Sequence, residues 1–163
     1  MGQVFSLSEL TQQRLTWKSN RKKVVFTNGV FDILHRGHVE YLAAAKALGD
    51  VLIVAVNSDA SVRKIKGPLR PVVGESDRAF LIAHLVSVDA VCIFDQETPL
   101  DIISTLLPDV LVKGADWNVS EVVGKDVVER SGGKVQTVPL VPQRSTTDII
   151  ARIRELYDGA KKE

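Results

Sequence analysis

The fold of this chain is decided by residues 24–38, VVFTNGVFDILHRGH. The first three residues are β-branched or aromatic, and the Thr-Asn-Gly that follows breaks the apolar run, which is typical of a strand that ends in a turn. Apolar residues recur at helical spacing from Val39 onward. The stretch therefore predicts a strand, a glycine-containing turn and a helix.

Two histidines, His35 and His38, lie where this predicted helix begins. Their spacing puts both imidazoles on one face of the first turn, beside backbone N–H groups without a partner in the helix. The positive end of the helix dipole attracts anions, and Gly29 and Gly37 let a bulky polyphosphate approach the backbone. The pattern predicts a phosphate site. The alternative is a pair of exposed histidines, with Asp32 as a capping residue.

The motif GVFDILHRGH resembles the G-x-F-D-x-x-H-x-G-H signature of the cytidylyltransferase-like nucleotidyltransferases. In that family the two histidines contact the phosphates of a nucleoside triphosphate during attack on its α-phosphorus. The resemblance covers residues 23 to about 154. It implies catalytic roles for His35 and His38 and a substrate-binding role for Asp32. It also implies nucleotide contacts for the surrounding residues Thr27, Asn28, Gly29, Val30, Phe31 and Gly37.

Length and composition predict one domain of 163 residues, with an N-terminal helix and connector over residues 1–22 and a catalytic core over 23–157. The 21 basic and 20 acidic residues leave no charge excess for nucleic-acid binding. A single cysteine, Cys92, excludes an intrachain disulfide, and no apolar run approaches the ~20 residues of a membrane span. Because the first residues do not have the pattern of a secretory signal, we expect a cytoplasmic location and no membrane partner.

Apolar periodicity predicts an N-terminal helix at 8–18, capped by Ser8, followed by alternating strands and helices. The predicted strands are 24–26, 51–56, 88–94, 110–112 and 135–140. The predicted helices are 37–48, a short one after residue 59, 78–86, 100–107, a polar one to about 130, and one from 144 through 156. This βαβαβαβαβα order predicts an α/β fold, which the resemblance specifies as a Rossmann-like three-layer α/β/α architecture with a parallel sheet, of the HxGH nucleotidyltransferase type.

Two of these helices carry local signals. Thr98 followed by Pro99 is typical of a capping residue with proline at the first helical position. The helix at 78–86 is expected to bury an apolar stripe that consists of Phe80, Leu81, His84 and Leu85.

Polar residues follow the second predicted strand. In a doubly wound sheet the ligand lies beyond the carboxyl ends of the strands, so Asn57 and Asp59 are expected at the same edge as the histidines. Asp59 could instead cap the helix that follows. The family resemblance favours substrate-binding roles for both residues.

Residues 63–71, RKIKGPLRP, hold four cations and are interrupted by Gly and Pro, which predicts a short helix followed by a loop. Such a loop could clamp an anionic substrate, or it could be a solvated surface segment. Residues 56–72 are similar to the heptose-phosphate adenylyltransferase branch of the family, which implies a catalytic Lys66 and a substrate-binding Arg70. Arg78 opposes the dipole of its own helix, so we expect a phosphate or an acidic neighbour to compensate it, and we assign it to substrate binding.

Two more segments follow predicted strands. In the resemblance, the KGADW segment borders the nucleotide, which implies nucleotide-binding roles for Lys113, Gly114 and Asp116, whereas Trp117 is expected to be a packed indole. The RSTT segment opens the last helix with three hydroxyls and a cation, which predicts a second anion site. It resembles the second signature of the family, which grips the outer phosphates. The residues concerned are Arg144, Ser145, Thr146 and Thr147.

One position departs from the family pattern. The heptose-phosphate branch commonly has Gly two positions before the serine of the second signature, where this chain has Gln143. The path of the backbone in that loop is therefore left open.

The resemblance implies nucleotidyl transfer from ATP to a sugar 1-phosphate, D-glycero-β-D-manno-heptose 1-phosphate, which gives ADP-heptose and pyrophosphate for lipopolysaccharide or surface-glycan synthesis. Catalysis would rest on positioning and charge stabilisation, without a protein nucleophile. We expect Mg²⁺ to bridge phosphate oxygens, with no dedicated protein metal site and at most Asp32 helping to place it. We also expect a homo-oligomer and a functional link to a separate sugar kinase, because related proteins often carry this unit fused to one.

Two alternatives remain open. A CTP-dependent cytidylyltransferase acting on glycerol 3-phosphate would carry the same two signatures, and side-chain identities barely report which base is bound. A nucleotide-sensing domain that has lost catalysis is the non-enzymatic alternative, and Gln143 is the observation that favours it.

Overall fold

The computed structural model describes residues 1–142 and 144–159, which contain a six-stranded sheet and seven α-helices. The strands are β1 (Gln3–Phe5), β2 (Val24–Gly29), β3 (Val51–Asn57), β4 (Ala90–Phe94), β5 (Val110–Gly114) and β6 (Lys134–Val138). The helices are α1 (Leu7–Ser19), α2 (Arg36–Lys46), α3 (Asp59–Lys66), α4 (Glu75–Ala83), α5 (Leu100–Leu106), α6 (Lys125–Arg130) and α7 (Thr146–Gly159), with a 3₁₀ helix at Val119–Glu121.

The sheet is entirely parallel, with the strand order β1-β4-β3-β2-β5-β6. From β2 the chain first moves through β3 and β4 toward one edge, and it then returns to β5 on the other side of β2. Strand order therefore reverses at β2, where a doubly wound sheet opens a crevice for its ligand. This arrangement confirms the predicted Rossmann-like α/β fold.

Helices cover both faces of the sheet. On one face, Leu42 of α2 and Ile82 of α4 are fully buried against the strands. On the other face, Leu10 of α1, Ile103 of α5 and Val128 of α6 are equally buried. Strand β3 is buried at every position, as its continuous apolar run predicts for a central parallel strand.

The N-terminus differs from the prediction. Strand β1 pairs with β4 at the edge of the sheet, and three residues are too few to show a strand periodicity in the sequence. Helix α1 begins at Leu7 and is capped by Ser6 rather than by Ser8. The Ser6 hydroxyl accepts from the backbone N–H of Glu9, and the Glu9 carboxylate accepts from the backbone N–H of Ser6, which is a capping box.

Two helix predictions are wrong in detail. Helix α5 begins at Leu100 after Pro99, so Thr98 is not its cap. Helix α4 buries Arg78 and three small or branched apolar residues, whereas Phe80 is 58% exposed and stacks on the His84 ring at the surface. The alanines of α4 let it approach the sheet closely, which turns the larger side chains outward. No helix in the described ranges has the length and apolar character to cross a membrane.

Candidate active site

A cavity of about 770 Å³ opens at the carboxyl ends of the strands, where strand order reverses. It collects most of the predicted site residues, namely Asn28, Gly29, Val30, Phe31, His35, Gly37, His38, Asn57, Lys66, Lys113, Gly114, Asp116, Arg144, Ser145 and Thr146. The prediction missed ten further lining residues, which are Tyr41, Ile65, Glu97, Thr98, Pro99, Trp117, Val123, Leu140, Val141 and Asp148.

The two histidines form a stacked pair at the start of α2. His35 is the N-cap residue and uses no side-chain cap bond, so its ring is free to face His38. The ring centroids are 3.8 Å apart and the planes are inclined by 21°. Gly37 allows this packing, because a Cβ there would lie 3.0 Å from His35 Nδ1 and 3.3 Å from Arg144 Cβ.

Burial keeps both imidazoles neutral near pH 7. It lowers the pKa of His38 to about 4, with a smaller contribution from the neighbouring His35. Burial also lowers the pKa of His35, assisted by the Arg144 charge and opposed by Asp148. Nδ1 of each ring is buried without a hydrogen-bond partner among the residues described. Such orphaned polar atoms are typical of a site that is completed by its ligand.

The Phe31 ring packs against the His38 ring. Its backbone is left-handed, with φ of 48°, and its ring meets the His38 ring edge-on with centroids 5.2 Å apart. A Cβ on Gly29 would lie only 2.9 Å from the Phe31 ring, so the glycine makes room for the aromatic side chain. The Gly and Phe of the signature therefore shape the pocket of the second histidine.

A partly buried lysine in the cavity joins β5 to β2. Lys113 Nζ donates to Asn28 Oδ1 and lies 5.7 Å from the centroid of the Trp117 ring. Burial lowers the pKa of Lys113 to about 8, and the Asp116 carboxylate opposes this shift. Trp117 is 49% exposed and lines the cavity, so the prediction of a packed indole is wrong.

Thr27 is placed behind the cavity. Its side chain is fully buried, and its hydroxyl lies 2.7 Å from the Tyr41 hydroxyl, which also donates to the Val112 carbonyl. Burial raises the pKa of Tyr41 to about 12, so this phenol remains protonated. The nucleotide contact predicted for Thr27 is corrected: the threonine holds Tyr41, and Tyr41 lines the cavity.

The start of α7 forms another part of the cavity lining. The Ser145 hydroxyl accepts from the Asp148 N–H and donates to the Asp148 carboxylate. Thr146 Oγ1 donates to the Ile33 carbonyl over 3.4 Å, which connects α7 to the segment of the histidines. Thr147 is exposed and lies outside the cavity lining. Gln143 lies outside the described residues, so the prediction on its backbone stays untested.

Four predicted substrate-binding residues are instead paired with each other. Arg70 Nε donates to the Asp32 carboxylate over 2.5 Å, and Arg78 Nη2 donates to the Asp59 carboxylate over 2.7 Å. The side chains of Asp32 and Arg78 are fully buried, and none of the four lines the cavity. Direct substrate contact by these residues is therefore corrected, although the acidic neighbour expected for Arg78 is present.

The same contacts bear on a metal ion. The Asp32 carboxylate already accepts three hydrogen bonds, from Arg70 and from the backbone N–H groups of Val72 and Val73, so it is not available to help place Mg²⁺. Across residues 1–142 and 144–159, no group of three or more His, Cys, Asp or Glu side chains is arranged to hold a metal.

Comparison with known proteins gives a consistent result. Residues 26–152 match the sequence model of the cytidylyltransferase-like family. The chain is 55% identical over 137 residues to the bifunctional protein HldE of Syntrophotalea carbinolica, a match that covers 84% of this chain and 28% of that protein. It is 56% identical over 140 residues to the bifunctional protein HldE of Geobacter metallireducens, covering 86% of this chain and 29% of that protein. The chain thus spans less than a third of the length of these curated relatives.

A solved structure shares the fold. The crystal structure of the lipopolysaccharide core biosynthesis protein from Thermoplasma volcanium GSS1 superposes with a TM-score of 0.61 at 31% sequence identity. The match covers 74% of this chain and 97% of that protein.

Proposed function

Because the chain belongs to the cytidylyltransferase-like family, we propose that it transfers AMP from ATP to a sugar 1-phosphate. An acceptor phosphate oxygen forms a bond to the α-phosphorus of ATP, the bond between the α-phosphorus and the bridging oxygen breaks, and pyrophosphate leaves. We propose D-glycero-β-D-manno-heptose 1-phosphate as the acceptor and ADP-heptose as the product. Identity above one half to proteins named HldE supports this choice.

The observation that carries the proposal is the pair of neutral histidines at the start of α2, within the cavity that also holds three cationic side chains, Lys66, Lys113 and Arg144. A phosphate acceptor is already anionic at neutral pH, so the reaction needs no general base. It needs donors that stabilise negative charge on the transferred phosphoryl group and on the leaving pyrophosphate. Neutral imidazole N–H groups and a helix N-terminus supply such donors.

The sheet gives the cavity two ends. Trp117 and Leu140 belong to the connections after β5 and β6, on one side of β2. A Cβ on Gly114 would lie 3.0 Å from Leu140 Cδ1, so the glycine leaves room for the Leu140 side chain on this side of the cavity. We assign this end to the nucleotide. Asn57 ends β3 and Glu97 follows β4, both on the other side of β2, and we assign that end, together with Lys66, to the acceptor.

Mg²⁺ fits this proposal as part of the nucleotide substrate. Mg²⁺ prefers oxygen ligands and keeps several waters, so phosphate oxygens and water can complete its coordination without a protein carboxylate. The full engagement of Asp32 by three donors favours this arrangement.

Pyrophosphate release tests the proposal. The purified chain is incubated with each of ATP, CTP, GTP and UTP, and each nucleotide is combined with heptose 1-phosphate or with glycerol 3-phosphate. We expect the highest kcat/KM with ATP and heptose 1-phosphate. A preference for CTP with glycerol 3-phosphate would instead assign the cytidylyltransferase activity. ATP binding by calorimetry with no pyrophosphate from any pair would assign a nucleotide-sensing domain.

A further inference from the structure

Residues 67–73 of the loop between α3 and α4 are held to the rest of the fold at two points. Three of its groups donate to one carboxylate, that of Asp32: Arg70 Nε at 2.5 Å, Val72 N at 2.7 Å and Val73 N at 2.9 Å. The other point is the Val73 carbonyl, which accepts from Arg78 Nε over 2.9 Å. The remaining hydrogen bonds described for this loop are local, to residues 63 and 67.

From these contacts we infer that Asp32 is a positioning residue that holds Lys66 at the acceptor end of the cavity. The inference rests on the proposed function, in which Lys66 stabilises phosphate charge. Asp32 does not touch the substrate. It acts through the loop that begins directly after Lys66.

Residues 67–69, which precede the three groups that donate to Asp32, can move unless the Asp32 carboxylate holds the loop. Gly67 ends α3 with φ of 93°, and no heavy atom lies within 4 Å of the position that its Cβ would take. Leu69 is 81% exposed, so packing does not fix the loop. The Asp32 side chain, by contrast, is fully buried. The Asp32 carboxylate therefore restrains a segment that has a glycine at its start and little packing of its own.

Asp32 itself belongs to the segment that precedes the two histidines. Asp32 directly follows Phe31, whose ring supports His38. Arg78 also donates to the Val30 carbonyl over 2.6 Å, so the same segment is held from α4. These contacts connect the segment that precedes His38 with the loop that follows Lys66. Lys66 lines the cavity as the last residue of α3, and its ammonium has no hydrogen bond or ion pair among the described residues. The loop that begins at Gly67 therefore restrains the end of the helix that carries Lys66.

The test is a double-mutant cycle read by turnover. Asp32→Ala removes every tether to the carboxylate, and we expect kcat to fall roughly 10²-fold, the loss that a misplacement of about 1 Å produces. We expect the Kd for ATP to stay within about twofold, because the tethers lie outside the nucleotide end. In a Lys66→Met background, Asp32→Ala should reduce kcat little further, because both substitutions remove the same contribution, the stabilisation of phosphate charge by Lys66. Leu69→Ser is the matched control and should keep wild-type turnover, because Leu69 lies in the same loop but neither donates to Asp32 nor lines the cavity.

Hydrogen exchange gives a readout that needs no activity. Residues 67–73 should exchange faster in Asp32→Ala, while residues 24–29 of β2 keep their protection. Arg70→Gln removes the ion pair but leaves both backbone tethers, so it should give smaller changes in the same direction, and it serves as the test if Asp32→Ala fails to fold.

The inference would be overturned if Asp32→Ala reduced kcat as much in the Lys66→Met background as in the wild type. It would also be overturned if Asp32→Ala weakened ATP binding and left hydrogen exchange in residues 67–73 unchanged. A wild-type chain that releases no pyrophosphate would refute the proposed function, yet the exchange experiment would still report whether Asp32 holds the loop.

Discussion

The imidazoles of His35 and His38 stack with their ring centroids 3.8 Å apart at the start of α2. Two protonated rings at that separation would repel each other strongly, and burial already disfavours the charge on each of them. In the proposed reaction the pair would therefore act as neutral hydrogen-bond donors rather than as imidazolium ions. Donors of this kind contribute most where negative charge develops in the transition state.

Replacing either histidine should reduce turnover more than nucleotide affinity. For His38→Ala and for His35→Ala we expect kcat to fall by about 10², equivalent to about 3 kcal/mol for one lost donor. The Kd for ATP, measured by calorimetry, should change far less. His84→Ala is the matched control, because that ring stacks on Phe80 at the surface, outside the cavity. Wild-type turnover in both active-site variants would remove the catalytic assignment.

ATP affinity should fall as the pH rises through about 8. Burial lowers the pKa of Lys113 to about 8 in the free protein, and a bound polyphosphate favours the charged ammonium and raises that pKa. The complex therefore holds more protons than the free protein above pH 8. By linkage, the Kd for ATP should increase about tenfold between pH 7 and pH 9.

Lys113→Arg provides the control for this titration. A guanidinium remains protonated throughout the range, so the Kd for ATP in this variant should be nearly independent of pH between 7 and 9. A wild-type Kd that does not change, or a variant that keeps the wild-type slope, would show that Lys113 does not titrate against the nucleotide.

Arg14 is expected to stabilise the fold without affecting the site. Its buried guanidinium donates to the carbonyls of Leu106 and Leu107 at the end of α5 and pairs with Asp109. Arg14→Met would leave these acceptors without a charged donor, which costs about 2 to 4 kcal/mol of unfolding free energy.

Urea denaturation measures this loss, with Arg152→Met as the control. Arg152 is 68% exposed and pairs with Glu155 on the surface of α7. Its replacement should change the unfolding free energy by less than about 0.5 kcal/mol. Equal effects of the two substitutions would show that the buried contacts of Arg14 contribute nothing.

The strands were predictable because the physics that forms them is local. Continuous apolar runs mark β3 and β5, and the carboxyl ends of parallel strands converge, so Asn57 and Lys113 reach the cavity as expected. Edge strand β1 has only three residues, two of them exposed, and so it has no such signal.

The charged residues show where sequence reasoning stops. Asp32 was assigned to substrate from the family resemblance, and Arg78 because its charge opposes the dipole of its own helix. Their partners lie 38 and 19 positions away in the chain, at Arg70 and Asp59. Whether a charge is satisfied by the protein or left for a ligand depends on such distant contacts, which a single sequence does not contain. Glu97 was missed for the opposite reason, since an acidic loop residue gives no signal that distinguishes it from a solvated one.

Glu97 should determine which acceptor is used. Like Asn57 and Lys66 it lines the cavity, and its carboxylate has no hydrogen bond or ion pair in the described part of the chain. The Ser61 hydroxyl donates to the Gln96 carbonyl over 2.8 Å, which fixes the backbone just before Glu97. A carboxylate on a backbone held in this way can accept hydrogen bonds from two sugar hydroxyls, and hydrogen bonds to a charged group contribute about 1.5 to 3 kcal/mol.

The prediction is that Glu97→Ala raises the KM for heptose 1-phosphate by roughly 10- to 100-fold, the equivalent of that free energy. The KM for ATP should hardly change, because the end of the cavity that we assign to the nucleotide lies on the other side of β2. Glu97→Gln, which keeps one acceptor oxygen, should fall between Ala and wild type, and Glu121→Gln, an exposed residue outside the cavity, should match wild type. Glycerol 3-phosphate carries its two hydroxyls on a freely rotating chain rather than on a sugar ring, so it loses more conformational entropy on binding the carboxylate, and any turnover with it should lose less. Equal losses for both acceptors would mean that Glu97 acts on the phosphate or on the loop rather than on the sugar.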